Sequence, residues 1–219
     1  MIKTLLVDDH PSFRDPLAFM FEREPDLKVL AQAASLAEAR EAFADVGAAV
    51  DLVLIDLDLP DGSGTQLIGE IQAVNPEAIV LVLTAFKDEK WLARAIDAGA
   101  SGILHKSVRV GEVISAVRRL FAGENLVSPS EVAEATRFMD GERREEREAK
   151  QLLGKLTPRE KEVLQALAEG LSDRELARSL HVNIDTVQTH MGNIRQKLEV
   201  ASRLQALVFA IRHGVVEIE

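Results

Sequence analysis

The sequence predicts an α/β protein, in which a doubly wound five-stranded parallel sheet is followed by a small all-α domain. Three observations predict this. Short, nearly continuous apolar runs alternate with longer amphipathic stretches up to residue 121; the runs then stop; and four helix-start signals follow one another beyond residue 155. With 219 residues, 47% of them hydrophobic and 28% charged, the chain is long enough for two cores and is not disordered in composition.

The runs IKTLLV (2–7), KVLAQA (28–33), DLVLI (51–55), IVLVL (79–83) and GIL (102–104) are the predicted strands. Strands that are apolar on both faces suit a parallel sheet covered by helices on both sides. Helical periodicity falls near 12–24, 36–46, 65–74, 88–98 and 109–121, with Ser35 and Glu38 as a capping box for the second stretch. Five such βα units make one domain over 1–121. Residues 122–154 read as a charged helical linker. Ser128, Pro129 and Glu131 start a helix over 128–139, and Arg144/Glu148 and Glu146/Lys150 are i,i+4 pairs of a solvated continuation. Over 155–219 the starts are Thr157-Pro158 with Glu160, Ser172 with Glu175, Asn183, and Ser202, the last helix stopping at Gly214.

The absence of cysteine excludes disulfides, thiolate metal sites and cysteine catalysis. No run reaches the length of a membrane span, and the N-terminal apolar run is too short for a signal peptide, so a soluble cytoplasmic protein without membrane contact is expected. The net charge of −10 is uneven: residues 1–121 carry 12 basic and 19 acidic residues, 122–154 carry 5 and 8, and 155–219 carry 9 and 9. Only the C-terminal domain does not oppose a polyanion through its overall charge.

Polar residues collect at the strand ends. Asp8 and Asp9 follow the first predicted strand, Asp56 ends the third, Thr84 follows the fourth and Lys106 the fifth. In a doubly wound sheet the ligand crevice lies outside the carboxyl ends of the strands, so all five fall on one edge. Three close carboxylates call for a hard cation with oxygen ligands, and Mg²⁺ is the expected one. Asp56 is then a nucleophile toward phosphorus, with Lys106 neutralising phosphoryl oxygens and Thr84 donating a hydrogen bond to one of them.

The Asp8-Asp9 pair, Asp56 with Pro60 and Gly64, Thr84-Ala85 and GASGILHKS with Lys106 together resemble the receiver domain of bacterial two-component response regulators, a flavodoxin-like fold. The resemblance implies phosphotransfer from a histidine kinase to Asp56. It also implies Asp9 and Asp56 as direct Mg²⁺ ligands, Asp8 acting through water, and the backbone carbonyl of Asp58 as a further ligand. The same Asp56-x-Asp58 pattern also occurs in haloacid-dehalogenase-like phosphatases. Those need their metal-binding acidic pair downstream of the lysine, and Thr or Val at position 60, so that reading is rejected and no enzyme is expected. Two departures stand out. Ile103 occupies the place of a switch aromatic that partners Thr84, and Ser107 follows Lys106 where many receivers have Pro.

In IDTVQTHMGNIRQKL, Val187, Met191, Ile194 and Leu198 form one apolar stripe, and the SDRELARSL helix precedes it through a short HVN turn. This is helix-turn-helix spacing. Residues 156–216 resemble the LuxR-type DNA-binding domain, and with the receiver make the chain similar to a NarL/FixJ-type response regulator. The resemblance implies Gln188, Thr189 and Gly192 at base- and backbone-contacting positions, with Arg174, Arg195, Lys197 and Arg203 as phosphate contacts. It places Val208 and Ile211 in a dimer contact; His181 and His190 are read as structural residues, not ligands. Gln188 forgoes a lysine found in many relatives and Gly192 one found in some, so weak binding by one domain, and paired half-sites about 10 bp apart, are expected. The expected function is a transcription regulator of promoter DNA switched at Asp56, dimerising on activation. Regulation without phosphorylation, or through protein partners, is the alternative.

Overall fold

The computed structural model describes residues 1–85 and 88–216. The chain divides into two compact units, Met1–Asp140 and Gly141–Glu219, each described here by itself.

The first unit runs β1 (Ile2–Val7), α1 (Pro11–Phe21), β2 (Leu27–Ala33), α2 (Leu36–Val46), β3 (Leu52–Ile55), β4 (Asp58–Leu59), β5 (Gly62–Ser63), α3 (Gly64–Val74), β6 (Ile79–Thr84), α4 (Glu89–Ala98), β7 (Gly102–His105) and α5 (Val110–Phe121). The main sheet is parallel, in the order β2-β1-β3-β6-β7. The order reverses between β1 and β3, the switch point beside which ligands bind in such sheets.

Alternation along each strand splits the core in two. Leu5, Val7, Val53, Ile55, Val80 and Val82 face α2, α3 and α4, packing with Leu36, Phe43, Leu67, Ile71 and Ala95. Leu6, Leu52, Leu54, Leu81 and Leu83 face α1 and α5, packing with Leu17, Phe21, Val113, Val117 and Leu120. Both strand faces are therefore dry, as the continuous apolar runs require. The predicted cap on α2 forms in part: Ser35 accepts from the Glu38 backbone N–H, while Glu38 reaches back to Ala34 N instead of Ser35 N.

The expected helix over 128–139 and the charged linker after it are one helix, α6 (Pro129–Gly154), 26 residues long. Glu131 accepts from the backbone N–H and hydroxyl of Ser128 at its start, and Arg144–Glu148 and Lys150–Glu146 form the i,i+4 pairs. The division into units falls within this helix, after Asp140.

The second unit contains the rest of α6, then α7 (Pro158–Ala168), α8 (Asp173–Ser179), α9 (Ile184–Leu198) and α10 (Arg203–Arg212). Each helix from α7 to α10 starts on a side-chain cap: Thr157, Ser172 and Ser202 make full capping boxes, and Asn183 accepts from Thr186 N. Val163, Leu164, Met191, Ile194, Leu198, Ala206 and Ala210 form one core; Ala166, Leu176, Ala177 and Val187 form a smaller one between α7, α8 and α9. Among the described residues, no helix is long and apolar enough to cross a membrane.

Candidate functional site

Four of the five predicted strand-end residues are buried or nearly so at the carboxyl edge of the sheet: Asp8 is 4%, Asp56 3% and Thr84 1% exposed, and the Lys106 side chain 13%. Lys106 Nζ lies 2.6 Å from Asp56 Oδ2 and 2.7 Å from Asp8 Oδ2, so one ammonium bridges the ends of β1 and β3. The Lys106 backbone N–H donates to the Thr84 carbonyl at 2.8 Å, which ties that ammonium to the end of β6. The ammonium also stands 5.3 Å from the centre of the Phe13 ring, on α1.

Burial pushes the Asp56 carboxyl above the ordinary aspartate range, against the pull of the Lys106 hydrogen bond and charge. Burial works the other way on Lys106, but its hydrogen bonds to Asp56 and Asp8 outweigh it and hold the ammonium above the usual lysine value. The pocket thus keeps a cation beside a carboxylate that is short of solvation.

Gly64 makes this approach possible. A Cβ at that position would stand 2.2 Å from the Asp56 carbonyl oxygen, so only glycine lets the start of α3 close on the strand end. Asp58 begins the small β4–β5 hairpin and donates its backbone N–H to Asp56 Oδ1 at 3.3 Å. Its side chain is exposed, outside the carboxylate cluster.

The donor set fits a divalent cation. Asp8, Asp9 and Asp56 place ligand oxygens within 4.8 Å of one another, together with a nitrogen of His10. Asp8 Oδ2 and Asp9 Oδ1 are buried oxygens faced by the Lys106 ammonium at 2.7 Å and by His10 Nδ1 at 2.5 Å, and three carboxylates around that one ammonium leave negative charge that a bound cation neutralises. His10 was not singled out by the sequence reading. The signal was in view, directly after the acidic pair in VDDH.

Ile103 is part-buried against the α2–α4 side of the core. With Thr84 and His105 it lines a cavity of about 360 Å³ that Leu126, Ala135 and Phe138 also line. Phe138, on α6, thus brings an aromatic ring to the cavity that Ile103 lines. His105 spans the strand ends, with Nε2 3.0 Å from the Ala85 carbonyl and Nδ1 2.7 Å from the Ser107 hydroxyl.

On α9 the stripe Val187, Met191, Ile194 and Leu198 is buried, which leaves Gln188, Thr189 and Arg195 exposed, and a Cβ at Gly192 would meet nothing within 4 Å. Thr189 donates its hydroxyl to the Asp185 carbonyl. Arg174 is exposed on α8. The other two predicted phosphate contacts are engaged within the domain. Lys197 holds both carboxylate oxygens of Glu160 at 2.8 and 2.7 Å, and Arg203 pairs with Asp173 and donates to the Leu171 carbonyl. His181 takes a left-handed backbone (φ 53) in the helix-turn-helix turn. His190 is half-buried. Val208 on α10 is 55% exposed, and so is its neighbour one turn back, Leu204, at 68%.

The family described as response regulator receiver domain matches residues 4–118, and the family described as bacterial regulatory proteins, luxR family, matches residues 154–210. The response regulator protein VraR of Staphylococcus epidermidis is 32% identical over 216 residues, and that of Staphylococcus aureus 33%, with 99% of each chain covered in both cases. A LuxR-family two-component response regulator from Aurantimonas has a crystal structure that is 31% identical, with a TM-score of 0.53 over 63% of this chain and 96% of that one. The RcsB–DNA complex, at 22% identity, shares the fold with a TM-score of 0.53 over 97% and 98% of the two chains. The chain belongs to the two-component response regulators, with an N-terminal receiver and a C-terminal LuxR-type DNA-binding domain, and regulates transcription by binding DNA.

Proposed function

We propose that Asp56 is the phosphoryl acceptor of this regulator and that a histidine kinase is its donor. The observation that carries this is one buried lysine ammonium within 2.7 Å of both Asp8 and Asp56, at the switch point of the sheet. In the step, an Asp56 carboxylate oxygen forms a bond to phosphorus as the phosphorus–nitrogen bond of the donor phosphohistidine breaks. Lys106 stands beside the oxygens that carry the transferred charge, and Thr84 at the end of β6 supplies a hydroxyl for one of them. Asp8, Asp9 and Asp56, with the Asp58 carbonyl, would hold Mg²⁺, which when bound neutralises phosphoryl oxygens. The chain is then a switch whose one group transfer is onto itself, and its seat is the cytoplasm, where the kinase presents its phosphohistidine.

The added charge, roughly −1.5 to −2, draws Thr84 inward and alters the face formed by Ile103, His105 and Phe138. Activation pairs two chains through their DNA-binding domains, with Val208 and Ile211 in the contact. The α9 helices then enter the major groove at paired half-sites. Gln188, Thr189 and Gly192 face bases and backbone, and Arg174 and Arg195 are the phosphate contacts. Lys197 and Arg203 join them to the extent that DNA draws them from Glu160 and Asp173.

Incubation with acetyl phosphate and Mg²⁺ should add one phosphoryl group to the intact chain and none to Asp56→Asn. An unchanged wild-type mass, or a labelled Asp56→Asn chain, would falsify the acceptor assignment. Footprinting of phosphorylated and unmodified protein on promoter DNA tests the output: equal protection by both would make DNA binding independent of phosphorylation.

A further inference from the structure

Granted the cation-binding role proposed above for Asp8, Asp9 and Asp56, we propose that His10 is a fourth direct ligand, through Nδ1. The pocket is then a mixed nitrogen–oxygen site that favours first-row transition ions over Mg²⁺. The geometry allows one ion to reach all four groups. Their donor atoms lie within 4.8 Å of one another, and six ligands at about 2.1 Å place opposite donors a little over 4 Å apart. A contraction of a few tenths of an ångström closes the set.

The local structure leaves His10 little else to do. It occupies the N-cap of α1, directly before Pro11, yet its side chain makes no cap hydrogen bond. Histidine is not among the residues that favour this position, where Ser, Thr, Asp and Asn are the effective caps. The ring turns instead onto the acidic pair, with Nδ1 2.5 Å from Asp9 Oδ1 and 3.4 Å from Asp8 Oδ1. The His10 backbone N–H donates to Asp8 Oδ1 at 2.9 Å, which pins the ring's root against the pocket. Asp9 Oδ1 is buried against this ring nitrogen at 2.5 Å, and widening that contact by about half an ångström puts both atoms on adjacent corners of a six-coordinate ion's shell. The ring is 60% exposed, and its outer side leaves room for the waters that complete a six-coordinate ion.

Donor type then sets the preference. Carboxylates serve Mg²⁺ and Mn²⁺ alike, whereas an imidazole adds affinity for first-row transition ions in the order Mn²⁺ < Ni²⁺ and little for Mg²⁺.

The test uses the full chain loaded with Mn²⁺ and read by electron spin-echo envelope modulation. The wild type should show the modulation of a directly coordinated imidazole nitrogen. His10→Ser, which keeps an effective N-cap, should bind Mn²⁺ without it, and His105→Gln should retain it. In calorimetric titrations, His10→Ser should lower the Ni²⁺ to Mg²⁺ affinity ratio by about tenfold or more with Mg²⁺ affinity unchanged. Bound Mn²⁺ without nitrogen modulation in the wild type, or modulation that survives in His10→Ser, would overturn the role of His10 and leave the carboxylate site standing. A chain that takes up neither Mn²⁺ nor Mg²⁺ would overturn both.

Discussion

Asp56 and Glu160 are both buried carboxylates bonded to a lysine, at 3% and 2% exposure, yet they are displaced in opposite directions. Burial pushes each one up. For Asp56 burial wins: it shares Lys106 with Asp8, and its other oxygen receives only a 3.3 Å backbone N–H. For Glu160 the hydrogen bonds to Lys197 and to the Thr157 backbone and hydroxyl outweigh burial, and the carboxyl is held below the ordinary glutamate range. Its two oxygens accept from Lys197 twice, and from Thr157 N at 2.7 Å and Oγ1 at 3.0 Å. A carboxylate with its bonds filled pins two helices together. One left short of donors is available for a cation and for chemistry.

The largest effect should come from Lys197→Met. It removes the counter-charge from a buried carboxylate, and should cost the C-terminal domain about 3 kcal/mol, at the low end for a broken buried pair because Lys197 is partly exposed. Urea unfolding followed by helical circular dichroism measures it; a loss below about 1 kcal/mol would mean that Glu160 is not a pin. The two acids should also give opposite pH slopes. Glu160, depressed in the folded state, stabilises above its unfolded value of about 4.3, and this is lost as pH falls through the folded value. Asp56, raised in the folded state, contributes stability below its unfolded value of about 3.9, and this is lost as pH rises through the folded value. Denaturant midpoints between pH 3 and 7, with Glu160→Gln and Asp56→Asn each flattening its own slope, check the signs.

A smaller effect is expected at neutral pH for Asp56→Asn, which relieves an under-solvated charge and should leave the receiver unchanged or stabler by up to about 1 kcal/mol. A destabilisation as large as that of Lys197→Met would erase the contrast between the two acids. The smallest effect is on DNA binding. Arg195→Ala should flatten the log–log salt dependence by about one unit, whereas removing a lysine already neutralised by Glu160 should leave the slope unchanged. Fluorescence anisotropy across a salt series separates the two.

Much of this was legible in the sequence. The five strands, the caps at Thr157, Ser172, Asn183 and Ser202, and the edge formed by Asp8, Asp56, Thr84 and Lys106 follow from local periodicity and the topology rule for parallel sheets. The charge of the C-terminal domain was read less well. Lys197 and Arg203 look like free cations in the sequence, and their acidic partners lie 37 and 30 residues away. The aromatic missing at position 103 also has a neighbour that only packing supplies, Phe138 on α6.

By itself the sequence determined what forms locally. Apolar alternation, capping side chains and Gly64 at the close approach to Asp56 each act over a few residues, and each is encoded by those residues alone. Only the tertiary structure decided which charges are occupied. It set Lys106 between two acids, Lys197 on Glu160, and the His10 ring on Asp9 in place of its helix cap. Ion pairing depends on burial and on distances between groups far apart in the chain, and no short-range pattern carries that information.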